Sequence, residues 1–255
     1  MKYVKLERDG AAVWGVLEGE LIRTLAKPPF GEVCYDGASL SLSALTAGGC
    51  RLLAPCAATK IVCVGKNYYD HAVEMGEGIP DRPILFLKGP NAVNDPGRAI
   101  QAPDFVQRLD YEGELAFVIA RRAKNVRPED FSDYILGYTC LNDVTARDIQ
   151  KGDGQWSRGK AMDGFAPLGP WVTDEVDPGR LHIETRLNGN VVQSSNTEMF
   201  MTKVPDLLAF ITAAMTLEPG DVVATGTPAG IGPMKSGDVV EVEIEGVGTL
   251  RNHIQ

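Results

Sequence analysis

Asp110-Tyr111-Glu112-Gly113-Glu114 runs without interruption into Leu115-Ala116-Phe117-Val118-Ile119-Ala120. A short continuous apolar run of this kind reads as a buried strand. Ionised carboxylates at its head are costly unless they are paired or bind a cation. Alternate residues of a strand share a face, so Asp110, Glu112 and Glu114 point the same way. A fold for this chain has to supply counter-charge at one end of an apolar strand, and the three acids form one half of a hard-metal site.

The chain carries its own control. Glu241, Glu243 and Glu245 alternate with Val240, Val242 and Ile244, an ordinary amphipathic strand with a solvated acidic face. The spacing alone therefore does not separate a metal site from a wet surface. The first cluster differs because its strand continues as unbroken apolar sequence. A second strand-like run over 135–141 also ends in Asn142-Asp143. Two adjacent buried strands with carboxylates at one end can converge on a cation. Carboxylates without a His or Cys pair suit a hard ion, with Mg²⁺ first and Mn²⁺ or Ca²⁺ as alternatives.

The rest of the chain reads as strands punctuated by turns. There are 28 Gly and 16 Pro in 255 residues, and no repeat. Runs 2–7 and 12–17 flank Asp9-Gly10, a hairpin signal. A small β-rich N-terminal unit is expected over 1–55, with a short helix over 39–45, followed by a main body over 56–255. Further strands are expected over 60–64, 84–87, 114–120, 181–187, 221–225 and 239–244. Helices are few: 70–75, 145–150 and 204–215, the last with the cleanest helical spacing. This order fits a mostly β, α+β fold with a few helices rather than alternating β-α units.

The net charge of −9 disfavours nucleic acid and anionic membranes, which need a basic surface. The five cysteines include no C-x-x-C pair, so reduced core thiols are expected and a zinc site is not. The N-terminus lacks the apolar core of a secretion signal, and the apolar stretch at 207–215 is too short to span a bilayer. A cytoplasmic protein is the expectation.

Outside the acids, four features carry chemistry. His71 and Glu74 fall on one face if 70–75 is helical, a pairing that can hold and polarise a water; a surface pair of no consequence has the same spacing. The segment 76–81 that follows is flexible in composition, as a lid would be. Lys88 ends an apolar strand, and Lys160 lies in Arg158-Gly159-Lys160-Ala161; either can meet a substrate carboxylate or a developing oxyanion. Thr225-Gly226-Thr227-Pro228-Ala229-Gly230 has the composition of an anion cradle of backbone N–H groups. A tight structural turn has the same composition. His182 and His253 have no partner in the pattern.

Blocks of these residues, taken in order, resemble the fumarylacetoacetate hydrolase family, in particular its shorter, acylpyruvase-like members. They are Val64-Gly65-Lys66-Asn67-Tyr68 with Asp70, His71 and Glu74; Phe86-Leu87-Lys88; Asp110-Tyr111-Glu112 with Glu114; Asn142-Asp143 with Ala146-Arg147-Asp148 and Gln150; Gly159-Lys160; Asp163-Gly164-Phe165; and Thr225-Gly226-Thr227-Pro228. The resemblance implies the family's mixed β-sandwich roll and a homodimer. It implies that Glu112, Glu114 and Asp143 bind Mg²⁺ or Mn²⁺ while Asp110 falls back to support. By the same resemblance His71 and Glu74 are the dyad that activates water, Lys160 lies near the reacting oxygen, and Lys88, Gln150 and Thr227 meet the substrate. The implied substrate is a small 2-oxo or 2,4-dioxo acid. The expected reaction is Mg²⁺-dependent hydrolysis of the C3–C4 bond of an acylpyruvate such as fumarylpyruvate. The alternatives at the same site are oxaloacetate decarboxylation or tautomerisation and 2-hydroxyhepta-2,4-diene-1,7-dioate isomerisation. A non-catalytic, metal-stabilised binding protein is the alternative of another class.

Overall fold

A computed structural model describes residues 1–45, 49–74 and 80–255. Its backbone is a twelve-stranded mixed sheet, a five-stranded sheet and a three-stranded ribbon. The centre of the large sheet is Gly113–Ile119, the apolar run that follows the acids, and all seven of its residues are buried. It pairs antiparallel with Ile135–Asn142 on one side and Val222–Ala224 on the other. Val222–Ala224 in turn pairs parallel with Ile61–Gly65, which pairs with Ile84–Lys88.

Burial on both faces explains the unbroken hydrophobicity. Leu115, Phe117 and Ile119 pack on Ile183, Val242, Ile244 and Leu250 of the five-stranded sheet and on Leu207, Leu208 and Ile211 of the helix Val204–Ala214. Ala116 and Val118 meet Ile61, Cys63, Val222 and Leu168 on the opposite side. Each of the large side chains among them is worth roughly 1.5–3 kcal/mol of burial. Gly113 stands where the two sheets approach closely: a Cβ there would lie 2.1 Å from Thr185 Oγ1.

The N-terminal hairpin forms as its Asp-Gly signal predicts. Lys2–Arg8 and Ala11–Glu18 pair through a turn with φ of +52° at Asp9 and +77° at Gly10. Lys2–Arg8 also pairs with Ala166–Thr173, so the first strands extend the large sheet of the body. Two local expectations change. The helix expected over 39–45 is the end of the strand Tyr35–Ser41 followed by one 3₁₀ turn, Leu42–Leu45; pairing with Leu21–Leu25 overrides the weak helical preference of a Ser-rich stretch. The strand Ala166–Thr173 went unforeseen because Pro167 and Pro170 interrupt it. All five cysteines are free. No helix among the described residues is long and apolar enough to cross a membrane.

Candidate active site

The expected alternation of Asp110, Glu112 and Glu114 along one strand is broken at Glu112. Leu109–Tyr111 belongs to the three-stranded ribbon, between Thr145–Ala146 and Gly232–Met234, whereas Gly113–Ile119 belongs to the large sheet. Glu112 is the hinge between them, and its backbone is tied down locally. The Asn142 side-chain oxygen accepts from the Glu112 N–H (2.9 Å), and the Asp143 N–H donates to the Glu112 carbonyl (2.8 Å). These bonds set Asp143 beside the two glutamates. One carboxylate oxygen from each of Glu112, Glu114 and Asp143 lies within 4.8 Å of the others, and all three residues are buried. This triad can hold a metal ion.

The surrounding charges are also buried. Lys160 Nζ donates to Glu112 Oε2 at 2.7 Å and to Asp143 Oδ2 at 2.6 Å. Arg147, at the start of the helix Arg147–Asp153, donates to Glu112 Oε1, to Asp110 Oδ2 (2.8 Å) and to Gln150 Oε1 (2.8 Å). Thr145 Oγ1 adds a bond to Glu112 Oε1 (3.1 Å). Burial works against ionisation of Glu112, but the Lys160 ammonium and Arg147 guanidinium outweigh it and hold the carboxyl down at about 2. Glu114 goes the other way. Burial, with the Asp143 and Glu112 charges alongside, pushes its carboxyl well above the ordinary range. Burial likewise opposes the charge on Lys160, and Asp143 and Glu112 more than restore it, so its ammonium is favoured. One centre thus holds carboxyl groups driven in opposite directions, an arrangement that a divalent cation relieves.

The backbone cradle at Thr225–Gly230 exists, but the anions it holds are protein carboxylates. Gly226 N–H donates to Glu114 Oε2 (2.8 Å) and Gly230 N–H to Glu74 Oε1 (3.0 Å). Gly226 needs to be glycine, since its φ is +97° and a Cβ would lie 2.9 Å from Asn67 Cβ and 3.1 Å from the Val64 carbonyl oxygen. Glu74 also meets His71 Nδ1 at 3.1 Å, both on the one-and-a-half-turn helix Tyr69–Glu74. The lid expected over 76–81 lies mostly outside the described residues.

A small cavity collects most of the expected residues. His71, Glu112, Glu114, Asp143, Gln150, Lys160 and Thr227 line it, together with Lys66, Phe86, Arg147 and Trp156. Thr227 is anchored between the Gly113 carbonyl (2.9 Å) and the Gln193 amide (2.8 Å). The exceptions are Glu74, which meets the cavity only through His71, and Lys88. Lys88 is fully buried, does not line the cavity, and approaches the far side of the triad: its ammonium is 2.5 Å from Asp143 Oδ1 and donates to the Val144 and Phe165 carbonyls (3.1 and 2.6 Å). Asp110 likewise stands behind the triad, bound by Arg108 and Arg147. Sequence reasoning gave no role to Arg147, which stands in one of the family blocks and whose three-residue spacing to Gln150 was a usable helical signal, nor to Trp156, for which no local signal existed.

A family model described as fumarylacetoacetate hydrolase C-terminal matches residues 60–255, and one described as Rv2993c-like, N-terminal matches residues 1–55. An uncharacterized protein of Archaeoglobus fulgidus is 52% identical over 218 residues, covering 86% of this chain and 85% of its own. Oxaloacetate tautomerase YisK of Bacillus subtilis is 42% identical over 207 residues, 76% of this chain and 69% of its own. The crystal structure of a 5-carboxymethyl-2-hydroxymuconate delta-isomerase from Mycobacterium smegmatis superposes with a TM-score of 0.92 at 40% identity, covering 100% of this chain and 99% of the other.

Proposed function

The chain belongs to the fumarylacetoacetate hydrolase family, and we propose that within it the protein is a divalent-metal-dependent tautomerase of small 2-oxo acids of the oxaloacetate type. The observation that carries this reading is the meeting of His71, Lys160 and the Glu112/Glu114/Asp143 triad on one buried cavity. Proton transfer takes precedence over the hydrolysis expected from the sequence, because the two relatives described above that carry an activity name are a tautomerase and an isomerase; a fumarylacetoacetate hydrolase of Exiguobacterium antarcticum, 38% identical, supports the hydrolytic reading instead.

The donor set fits a hard ion, three carboxylates with no nitrogen or sulfur ligand among them, and Mg²⁺ is assigned ahead of Mn²⁺ and Ca²⁺. Glu112, Glu114 and Asp143 would hold it, and when bound it supplies Lewis-acid polarisation of the substrate's 2-oxo oxygen. Lys160 faces the same space and donates toward negative charge developing on that oxygen. His71, fixed by Glu74 at its Nδ1, moves the proton at C3. Arg147 and Gln150 hold the Glu112 side of the cavity in place. Keto and enol forms differ by the position of one proton, so the conversion consumes no water. Hydrolysis of an acylpyruvate is the second reading, favoured by the same His71–Glu74 contact, which can hold an attacking water.

The test follows the enol absorbance of oxaloacetate with pyruvate measured in parallel. Mg²⁺ with the protein accelerates enol loss without releasing pyruvate; chelator abolishes the acceleration, and His71→Ala reduces it by about 100-fold or more. If oxaloacetate enol decays at the buffer rate while an acylpyruvate yields one pyruvate per molecule, tautomerisation is wrong and hydrolysis takes its place.

A further inference from the structure

Lys160 reaches the triad from an exposed part of the chain. It ends the four-residue helix Ser157–Lys160, which follows the helix Arg147–Asp153 after a break at Gly154, where φ is +68°. The two helices pack as one unit, since a Cβ at Gly159 would lie 2.7 Å from the Gln150 backbone nitrogen. Between them, residues 151–158 are all exposed except Trp156. Arg158 pairs with Asp153 inside that stretch (2.5 and 2.6 Å), which ties it to itself rather than to the body. An exposed ion pair of this kind holds little.

The Trp156 indole is what reaches the body. Gly65 and Phe86 stand on one face of the strand pair Ile61–Gly65 and Ile84–Lys88, because Gly65 pairs with Ile84 and Cys63 with Phe86. The indole fills the notch that Gly65 leaves beside Phe86. Its ring meets Phe86 edge to face, with centroids 5.3 Å apart and an angle of 74° between the planes, a favoured aromatic geometry. A Cβ at Gly65 would lie 2.6 Å from Trp156 Cζ3 and 2.9 Å from Cη2. The same two aromatic residues hold Lys160. Its N–H donates to the Trp156 carbonyl (3.0 Å), and its ammonium lies 5.1 Å from the centre of the Phe86 ring.

We propose that Trp156 is the positioning residue for Lys160: its indole, seated between Gly65 and Phe86, latches the exposed segment 151–158 onto the body and so aims the Lys160 ammonium at the reacting oxygen. The task given to Lys160 rests on the reaction assigned above; the latch itself does not.

Trypsin cleavage after Lys151 and Arg158 in the native protein with Mg²⁺ reads the seating of the segment without turnover. Trp156→Ala speeds it about 10-fold or more, and Trp156→Phe, which keeps a ring against Phe86, leaves it near the wild-type rate. Gly65→Ala displaces the same ring in a chain that keeps its tryptophan, and speeds cleavage likewise. The Gly65 backbone is not left-handed, and apart from the indole the nearest atom to the added Cβ is 3.7 Å away, so the displaced ring is the whole effect. In oxaloacetate tautomerisation Trp156→Ala lowers kcat about 10- to 100-fold with little change in KM, because Lys160 acts on charge that develops only in the transition state. Trp156→Phe retains most of the rate. Gly65→Ala also lowers kcat, yet adds less than about 2-fold in the Trp156→Ala background, where its clash is gone. Cleavage unmoved in both Trp156→Ala and Gly65→Ala, a raised KM at unchanged kcat in Trp156→Ala, or a Gly65→Ala effect as large without the indole as with it overturns the latch. Faster cleavage in Trp156→Ala but not Trp156→Phe, in a protein that does not tautomerise oxaloacetate, upholds the latch and removes the reaction assigned above.

Discussion

Replacing Lys88 by methionine tests whether the buried charge behind the triad positions Asp143 or meets substrate. The change keeps the length of the side chain and deletes its ammonium, which sits 2.5 Å from Asp143 Oδ1 with both residues excluded from solvent. Removing one partner of a buried pair costs about 3–5 kcal/mol, because the other charge stays behind uncompensated. Lys160 still donates to Asp143 Oδ2, which places the Asp143 contribution at the lower end. The Val144 and Phe165 carbonyls lose their donor as well, each worth about 1 kcal/mol or more. The sum is about 5 kcal/mol, a large part of the roughly 5–15 kcal/mol that stabilises a typical domain. For a chain of this size it lowers the melting temperature by about 10–20 °C. Urea unfolding in chelator reads the loss directly, as a lower midpoint at unchanged slope. Excess Mg²⁺ recovers part of it by supplying positive charge to the same carboxylate. A loss below about 1 kcal/mol together with a raised KM for the 2-oxo acid would refute the positioning role and return Lys88 to the substrate side.

Two further expectations follow from the elements that carry the site. Asp221 is buried at the start of Val222–Ala224 and accepts from the Thr59 N–H and hydroxyl, the Lys60 N–H and ammonium, and the Glu218 N–H. Burial opposes its charge, but Lys60 and these donors hold its carboxyl below the usual range. With the folded value depressed, its contribution is complete above the unfolded carboxylate value near pH 4 and disappears as pH falls through the lower folded value. Asp221→Asn is therefore expected to cost about 2–4 kcal/mol at pH 7, with the gap to wild type closing below about pH 4 in a pH series of urea melts; a gap independent of pH would exclude the charge as its origin. Gly226→Ala forces a Cβ against Asn67 and Val64 in a left-handed backbone. It should cost about 1–3 kcal/mol in thermal unfolding and weaken Mg²⁺ binding by moving the N–H that holds Glu114; wild-type values for both would show that the loop has another way to fit.

How far the site could be read in advance differs from residue to residue. The strand Gly113–Ile119 and the surface ladder at Glu241, Glu243 and Glu245 were both legible, since burial and solvation leave opposite hydrophobic patterns. The ladder is indeed wet, with Arg186 on Glu243 and Arg251 near Glu241. The reading of Thr225–Gly230 as a cradle found the right backbone and mistook its guests, because nothing local says that Glu114 and Glu74 lie 112 and 156 positions away from their donors. Lys88 shows a related limit: the end of an apolar strand predicts a buried base, but not which side of Asp143 it approaches.

What the sequence determined by itself is the strand buried on both faces, the acids at its mouth and, through ordered blocks, the family. Periodicity and local motif carry those, since they depend on neighbours along the chain. Spacing left open which acids share a centre; the family blocks named Glu112, Glu114 and Asp143, and only the tertiary structure supplies the physical reason. The chain changes sheets at Glu112, which sends Asp110 to Arg108 and Arg147 while Glu114 stays in the large sheet, and pairing of Gly113 with Asn142 brings Asp143 to the two glutamates. A shared coordination space is fixed by strand register and by where a strand leaves its sheet, and both are set by contacts between distant segments that no local pattern encodes.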